Sequence, residues 1–240
     1  MQWGRQTCSN AHRLEYSGHV QADANTHQKS EYVCLDYARA RHSNSKYKND
    51  NGALLYPTVM REGSSMERLY GHDSAVGCAV CSVPLSRGFV YPRWGHQTCP
   101  AGAKELYSGF MASSKHDHTG AGYNDLCMHP KPEKVRRYLS DSKKAVQSYL
   151  YGMEYKGNAH WGKDAACAMC EAPGAAATYV QWGRQECSSG HHTEYAGLIM
   201  GPRYNHQKGE NVCVDYEQMG FSRSNKKANN EGLLCALPPC

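Results

Sequence analysis

The feature that most constrains this chain is that it repeats itself around its cysteines. Trp3-Gly4-Arg5-Gln6-Thr7-Cys8 returns as Trp94-Gly95-His96-Gln97-Thr98-Cys99 and as Trp182-Gly183-Arg184-Gln185-Glu186-Cys187. Glu15-Tyr16-Ser17-Gly18 returns as Glu105-Leu106-Tyr107-Ser108-Gly109 and as Glu194-Tyr195-Ala196-Gly197. His27, His118 and His206 each follow the last of those glycines by nine positions, and a second cysteine comes next at Cys34, Cys127 and Cys213. The first and third copies match without a gap, including His27-Gln28-Lys29 against His206-Gln207-Lys208 and Asp36-Tyr37 against Asp215-Tyr216. Self-similarity at a long fixed period is the signature of tandem units. We divide the chain into modules at 1–88, 89–177 and 178–240.

The first two modules close with a Cys-x-x-Cys pair, Cys78/Cys81 and Cys167/Cys170, whereas the third carries Cys235 and Cys240 in a Leu-Pro-Pro context. The third is therefore expected to be shortened or divergent at its tail. Four cysteines per module suggest two bridges each, and four cysteines allow three pairings. A direct Cys-x-x-Cys bridge is usually a redox device, so the closing pair is expected to reach back to the first two cysteines. Structural zinc would need two closely spaced ligand pairs; each module has one. Disulfides are the expectation for all twelve cysteines.

Composition agrees with a stapled, thin-cored chain. The hydrophobic fraction is 40% with only 3 Phe, against 12 Cys and 17 Tyr in 240 residues. Small cores need covalent staples, and these persist in oxidising compartments, so a secreted protein is expected. No apolar run approaches the ~20 residues that cross a bilayer, and Met1 is followed by no signal-like apolar stretch, as in a mature product. No Asn-x-Ser/Thr acceptor is present. A net charge of +5 is mild; clusters such as Lys134/Arg136/Arg137 and Lys143/Lys144 read as a solvated basic face rather than a nucleic-acid stripe.

The fold class expected is mainly β, with short strands and short helices. Strand signals lie at Phe89–Tyr91, Thr178–Trp182, Tyr32–Leu35 and Asn211–Val214, and Asn51-Gly52 is a turn signal. The best helix candidate is Glu133–Leu150, where Val135, Leu139, Val146 and Leu150 give partial helical spacing.

The Glu-Tyr-(Ser/Ala)-Gly-x8-His constellation carries the sharpest chemical signal. Sugar sites combine a few placed donors and acceptors with an aromatic face. The candidate sugar-binding set is His27, His118, His206, Glu15, Glu105, Glu194, Tyr16, Tyr107, Tyr195, Arg5 and Arg184. The competing reading is structural: a repeated Glu accepts backbone N–H groups, a repeated His is a satisfied core group, and an Arg makes a surface ion pair. The Trp-Gly pairs read as packing over a disulfide. Asp36 and Asp215 order a loop or accept hydroxyls. The chain has no zinc-protease, nucleophile-elbow or phosphate-loop motif and one recurring Glu rather than two opposed carboxylates, so it is not expected to be an enzyme. Repetition favours avidity over turnover.

Tyr91–Pro100, Glu105–Gly109, Leu150–Tyr155 and Cys167–Cys170, with Glu194–Met200, Val212–Asp215 and Asn51–Tyr56, resemble a family of invertebrate secreted modules often labelled short-chain-collagen-like. No Gly-x-y collagen tract is present. A stand-alone three-module arrangement is similar to the sea-hare (Aplysia-type) egg and gonad lectins. That resemblance implies a multivalent agglutinin for galactose-type glycans favouring D-galacturonic acid; no cofactor is expected, and a divalent cation is compatible with it but not required. The mild charge and the lack of a long apolar run lead us to expect no nucleic-acid partner and no membrane insertion. A homodimer is compatible with the resemblance but unnecessary for crosslinking, since two competent modules suffice. The alternative expectation is a structural extracellular-matrix or egg-coat protein whose modules bind proteins.

Overall fold

The computed structural model describes residues 1–9, 12–38, 54–61, 67–84, 88–133, 135, 147–156, 162–203, 205–222 and 232–236. The fold is mainly β. The first repeat contributes β1 (Gln2–Trp3), β2 (Arg13–Ala22), β3 (Val33–Asp36), β4 (Tyr56–Met60), the four-residue helix α1 (Glu67–Tyr70) and β5 (Gly77–Ser82). The second contributes β6 (Phe89–Trp94), β7 (Lys104–Ser113), β8 (Leu126–Met128), β9 (Ser148–Lys156) and β10 (Ala166–Ala172). The third contributes β11 (Gly197–Gly201), β12 (Val212–Asp215) and β13 (Gly232–Ala236). All belong to one 13-stranded sheet.

Hydrogen bonding separates what lies within a repeat from what lies between repeats. β2 pairs antiparallel with β3, β4 and β5, and β7 pairs antiparallel with β8, β9 and β10 in the same scheme. Pairing of strands between repeats is parallel. Trp3 of β1 meets Met128 of β8 as Trp94 of β6 meets Val214 of β12, while β4 lies on β9 as β9 lies on β13.

The cysteines explain why β2 and β7 are central. Cys8–Cys81 and Cys34–Cys78 tie β5 to the rest of the first repeat, and Cys99–Cys170 and Cys127–Cys167 do the same for β10. The Cys-x-x-Cys strand reaches back to both upstream cysteines, as expected. The third repeat differs: Cys187 and Cys213 are free thiols. This corrects the expectation of two bridges in every module. Cys235 is disulfide-bonded, but it sits on β13, the fourth-strand position, and so cannot serve as a fifth-strand partner. Cys240 lies outside the described residues.

The apolar core sits between repeats. One cluster joins Trp3, Val20, Tyr32 and Met60 to Phe110, Leu126, Met128 and Leu150. A second joins Met111, Met153 and Tyr155 to Met200, Val212, Val214 and Leu234. A low-hydrophobicity chain can fill such layers because each repeat needs only one apolar face per neighbour.

Strand expectations hold at Phe89–Tyr91, within Tyr32–Leu35 and within Asn211–Val214. Thr178–Trp182 is not a strand. β1 and β6 are held in their own repeats by β5 and β10, and among the described residues no such partner flanks 178–182. Ser148–Leu150 is strand, not the end of a helix, because β4 pairs with it and β7 pairs with Tyr151 and Gly152 just beyond. The rest of that helix candidate, apart from Glu133, Val135 and Gln147, lies outside the described residues, as do Asn51-Gly52 and the basic clusters.

Candidate functional site

The recurring tyrosines act as tethers. The Tyr16, Tyr107 and Tyr195 hydroxyls donate to the backbone carbonyls of Cys34, Cys127 and Cys213 at 3.2, 2.9 and 3.0 Å. Each holds the third strand of its repeat against the second. Burial raises Tyr107 and Tyr195 above the ordinary phenol range.

The glutamates occupy two different places. Glu15 is the extra residue of a β-bulge between Leu14 and Tyr16, where it accepts from Ser82. Glu105 instead pairs with Cys170, the position that Leu14 holds opposite Cys81, and burial raises its carboxyl. Glu194 accepts from the Tyr91 hydroxyl across the repeat boundary. Arg5 reaches Glu133 of the second repeat, whose carboxylate also takes the Gln6 N–H at 2.8 Å. Arg184 stays exposed at the rim of a cleft in the third repeat. The paired aspartates order loops: Asp36 accepts from Ala38 N–H and Asp215 from Glu217 N–H, at 2.7 and 2.8 Å.

The three histidines sit on loops that run side by side. Asn25 and Ala24 carbonyls accept from Gly120 and Ala121, and the His116 and Tyr123 carbonyls accept from Gln207 and Glu210. Between these loops Lys29 donates to Ser114, and burial pulls its ammonium down to about 8 against the opposing pull of Asp125 and Asp117. Burial pushes the Asp125 carboxyl well above the carboxylate range, and nearby Glu210 adds to this.

His27 meets the edge of Tyr56 at 5.5 Å and His118 meets the edge of Tyr151 at 5.6 Å. Tyr56 and Tyr151 occupy the same position, opposite Ala22 and Ser113. In the third repeat Cys235 stands there, opposite Gly201, and His206 packs on His116 at 4.8 Å.

Only His118 gains a fuller environment. Tyr149 and Tyr151 alternate on β9 and so share a face; their rings lie 6.0 and 5.6 Å from His118. Because β4 runs parallel to β9, Arg61 leaves β4 beside Leu150, and its guanidinium lies 4.5 Å over the Tyr149 ring. Arg61 also ion-pairs with Asp73, and His72 lies 3.3 Å from both. Asp73 is pinned by its N–H to the Met60 carbonyl at a φ of 54°, a left-handed conformation uncommon outside glycine. Backbone strain of this kind clusters at functional sites. The corresponding contact between the second and third repeats has Lys156 on Glu154, with Leu233 rather than a tyrosine paired to Glu154.

The cluster thus combines two aromatic faces, a guanidinium, a half-exposed carboxylate and two imidazoles at one repeat junction. Sequence reading found His118 and missed Arg61, His72 and Asp73. The available signal was Tyr149-Leu150-Tyr151, whose alternation places two rings on one face of a strand. Among the described residues, no group of three His, Cys, Asp or Glu is placed to hold a metal ion, and no helix is long and apolar enough to cross a membrane. Compared with known proteins, the chain matches no protein-family model and no solved structure.

Proposed function

We propose that the chain is a secreted lectin, without catalysis, that binds galactose-type sugars and favours D-galacturonic acid. The observation that carries this reading is the His118–Tyr149–Tyr151–Arg61–Asp73 cluster. A pyranose presents an apolar face that an aromatic ring can take, and hydroxyls that fork onto a carboxylate and an imidazole. A sugar carboxylate would compete with Asp73 for the Arg61 guanidinium, whose planar fork suits it. Four disulfides between described residues agree with an oxidising compartment. The sequence resemblance to sea-hare lectins points the same way.

Calorimetric titration with galacturonic acid and with galactose, with and without EDTA, tests the reading. One saturable site per chain is expected at this cluster. Arg61→Met should abolish the preference for galacturonic acid, a change of about tenfold or ~1.4 kcal/mol. Absence of heat with either sugar, together with silence on a broad glycan array, would favour the alternative of a matrix or egg-coat protein. The open third repeat is the observation on that side.

A further inference from the structure

The third repeat holds the imprint of a strand. In the first repeat β5 bonds to both β1 and β2 while its cysteines reach Cys8 and Cys34; in the second, β10 bonds to β6 and β7 while its cysteines reach Cys99 and Cys127. The matching cysteines of the third repeat, Cys187 and Cys213, are free and half-buried. They line one cleft of about 480 Å³, together with Val180, Gln181, Thr193 and Tyr195 from the two segments that would flank such a strand. Exposure marks the same place. Trp3 is 7% exposed, whereas Trp182 is 52% exposed, with Tyr179 at 53% and Val180 at 50% beside it.

We infer that the third repeat is an acceptor for an antiparallel β-strand bearing Cys-x-x-Cys, supplied from outside residues 1–240 and locked by disulfides to Cys187 and Cys213. Backbone hydrogen bonds of strand addition give the fit and the cysteine spacing gives selectivity. The copies of that strand within residues 1–240 are already oxidised, which leaves a second copy of this chain a poor donor. Four thiols become two disulfides. Four electrons and four protons pass to a disulfide oxidant such as two molecules of oxidised glutathione, which leave as four glutathione thiols. The inference is independent of the sugar reading.

The test uses the whole chain, oxidised glutathione and a reduced synthetic peptide of the sequence 164–173, with a control peptide in which two further residues separate the cysteines. Intact mass should rise by one peptide less four hydrogens. Mapping should place Cys187 on the second peptide cysteine and Cys213 on the first, following Cys99–Cys170 and Cys127–Cys167. Cys187→Ser and Cys213→Ser should each leave a single link, to the remaining predicted cysteine. Equal capture of the control peptide, an internal Cys187–Cys213 bridge, a covalent dimer of the chain in preference to peptide capture, or glutathionylation alone would each overturn the inference.

Discussion

Removing the Asp215 carboxylate should loosen the third repeat from the second. Asp215 ends β12, and Arg93 on β6 reaches its Oδ2 through Nε and through Nη2, both at 2.7 Å. The two side chains are 4% and 9% exposed. In Asp215→Ala the guanidinium retains the Thr98 carbonyl at 2.9 Å and the Glu217 carboxylate at 3.8 Å. Glu217 is 79% exposed, so water screens most of its attraction. Breaking a buried pair by deleting one partner costs about 3–5 kcal/mol, because a charge is left uncompensated. With the weak help of Glu217 we expect a loss of about 3 kcal/mol. Amide hydrogen exchange under non-reducing conditions reads it as a drop in protection of β6 and β12 larger than that of β2. The double variant Arg93→Met/Asp215→Leu should recover most of the loss, since neither charge then needs solvation. A loss below about 1 kcal/mol, or a double variant no better than the single one, would refute charge burial as the cause.

Replacing Cys127 and Cys167 by Ser opens a loop with a sequence separation of 40 and should cost about 3–4 kcal/mol, read by urea unfolding against the oxidised parent. His129 is held neutral: burial, with Arg5 next, lowers its imidazole from 6.5 to about 4, and its Nδ1 accepts the Lys131 N–H at 3.1 Å. The unfolded chain therefore binds the extra proton first, so stability is full above about pH 6.5 and falls as pH drops towards 4. A His129→Gln variant should flatten the Tm–pH curve in that window. Gly95→Ala should destabilise more than Gly183→Ala. Both sit at positive φ, +87° and +78°, but a methyl at Gly95 would meet Val214 Cγ1 at 2.6 Å while at Gly183 it meets nothing within 4 Å. Thermal unfolding of the two variants separates the shared backbone cost, about 1 kcal/mol, from the clash.

That the closing Cys-x-x-Cys reaches back to the upstream cysteines was legible once a direct bridge is set aside, but spacing leaves two such pairings, and only the register of β5 and β10 chooses between them. The strands around Cys34 and Cys213 were legible from the valines beside them, whereas Cys127 lies between Leu126 and Met128, which carry no such signal. Thr178–Trp182 carries the same local signal and is not a strand, because strand formation depends on a partner that local sequence does not contain. The repeat of Glu15, Glu105 and Glu194 looked like one site, yet a bulge sends Glu15 and Glu105 to different register positions. Tyr16, Tyr107 and Tyr195 recur because each must satisfy a carbonyl. The junction cluster was hidden for a different reason: Arg61, with Asp73 paired to it, meets Tyr149 only through the parallel contact of β4 with β9, a pairing between segments about ninety residues apart that no local pattern reports.

The parallel contacts between repeats also give the molecule a direction. The first strand of one repeat meets the third strand of the next, so the two sides of each junction are different surfaces. Such a head-to-tail contact cannot be closed by a twofold axis. Two chains that met through it would line up rather than face one another, and each addition would present the same unlike ends again. Any assembly built on this junction is therefore polar: it can lengthen or close as a ring, and it cannot form a symmetric pair.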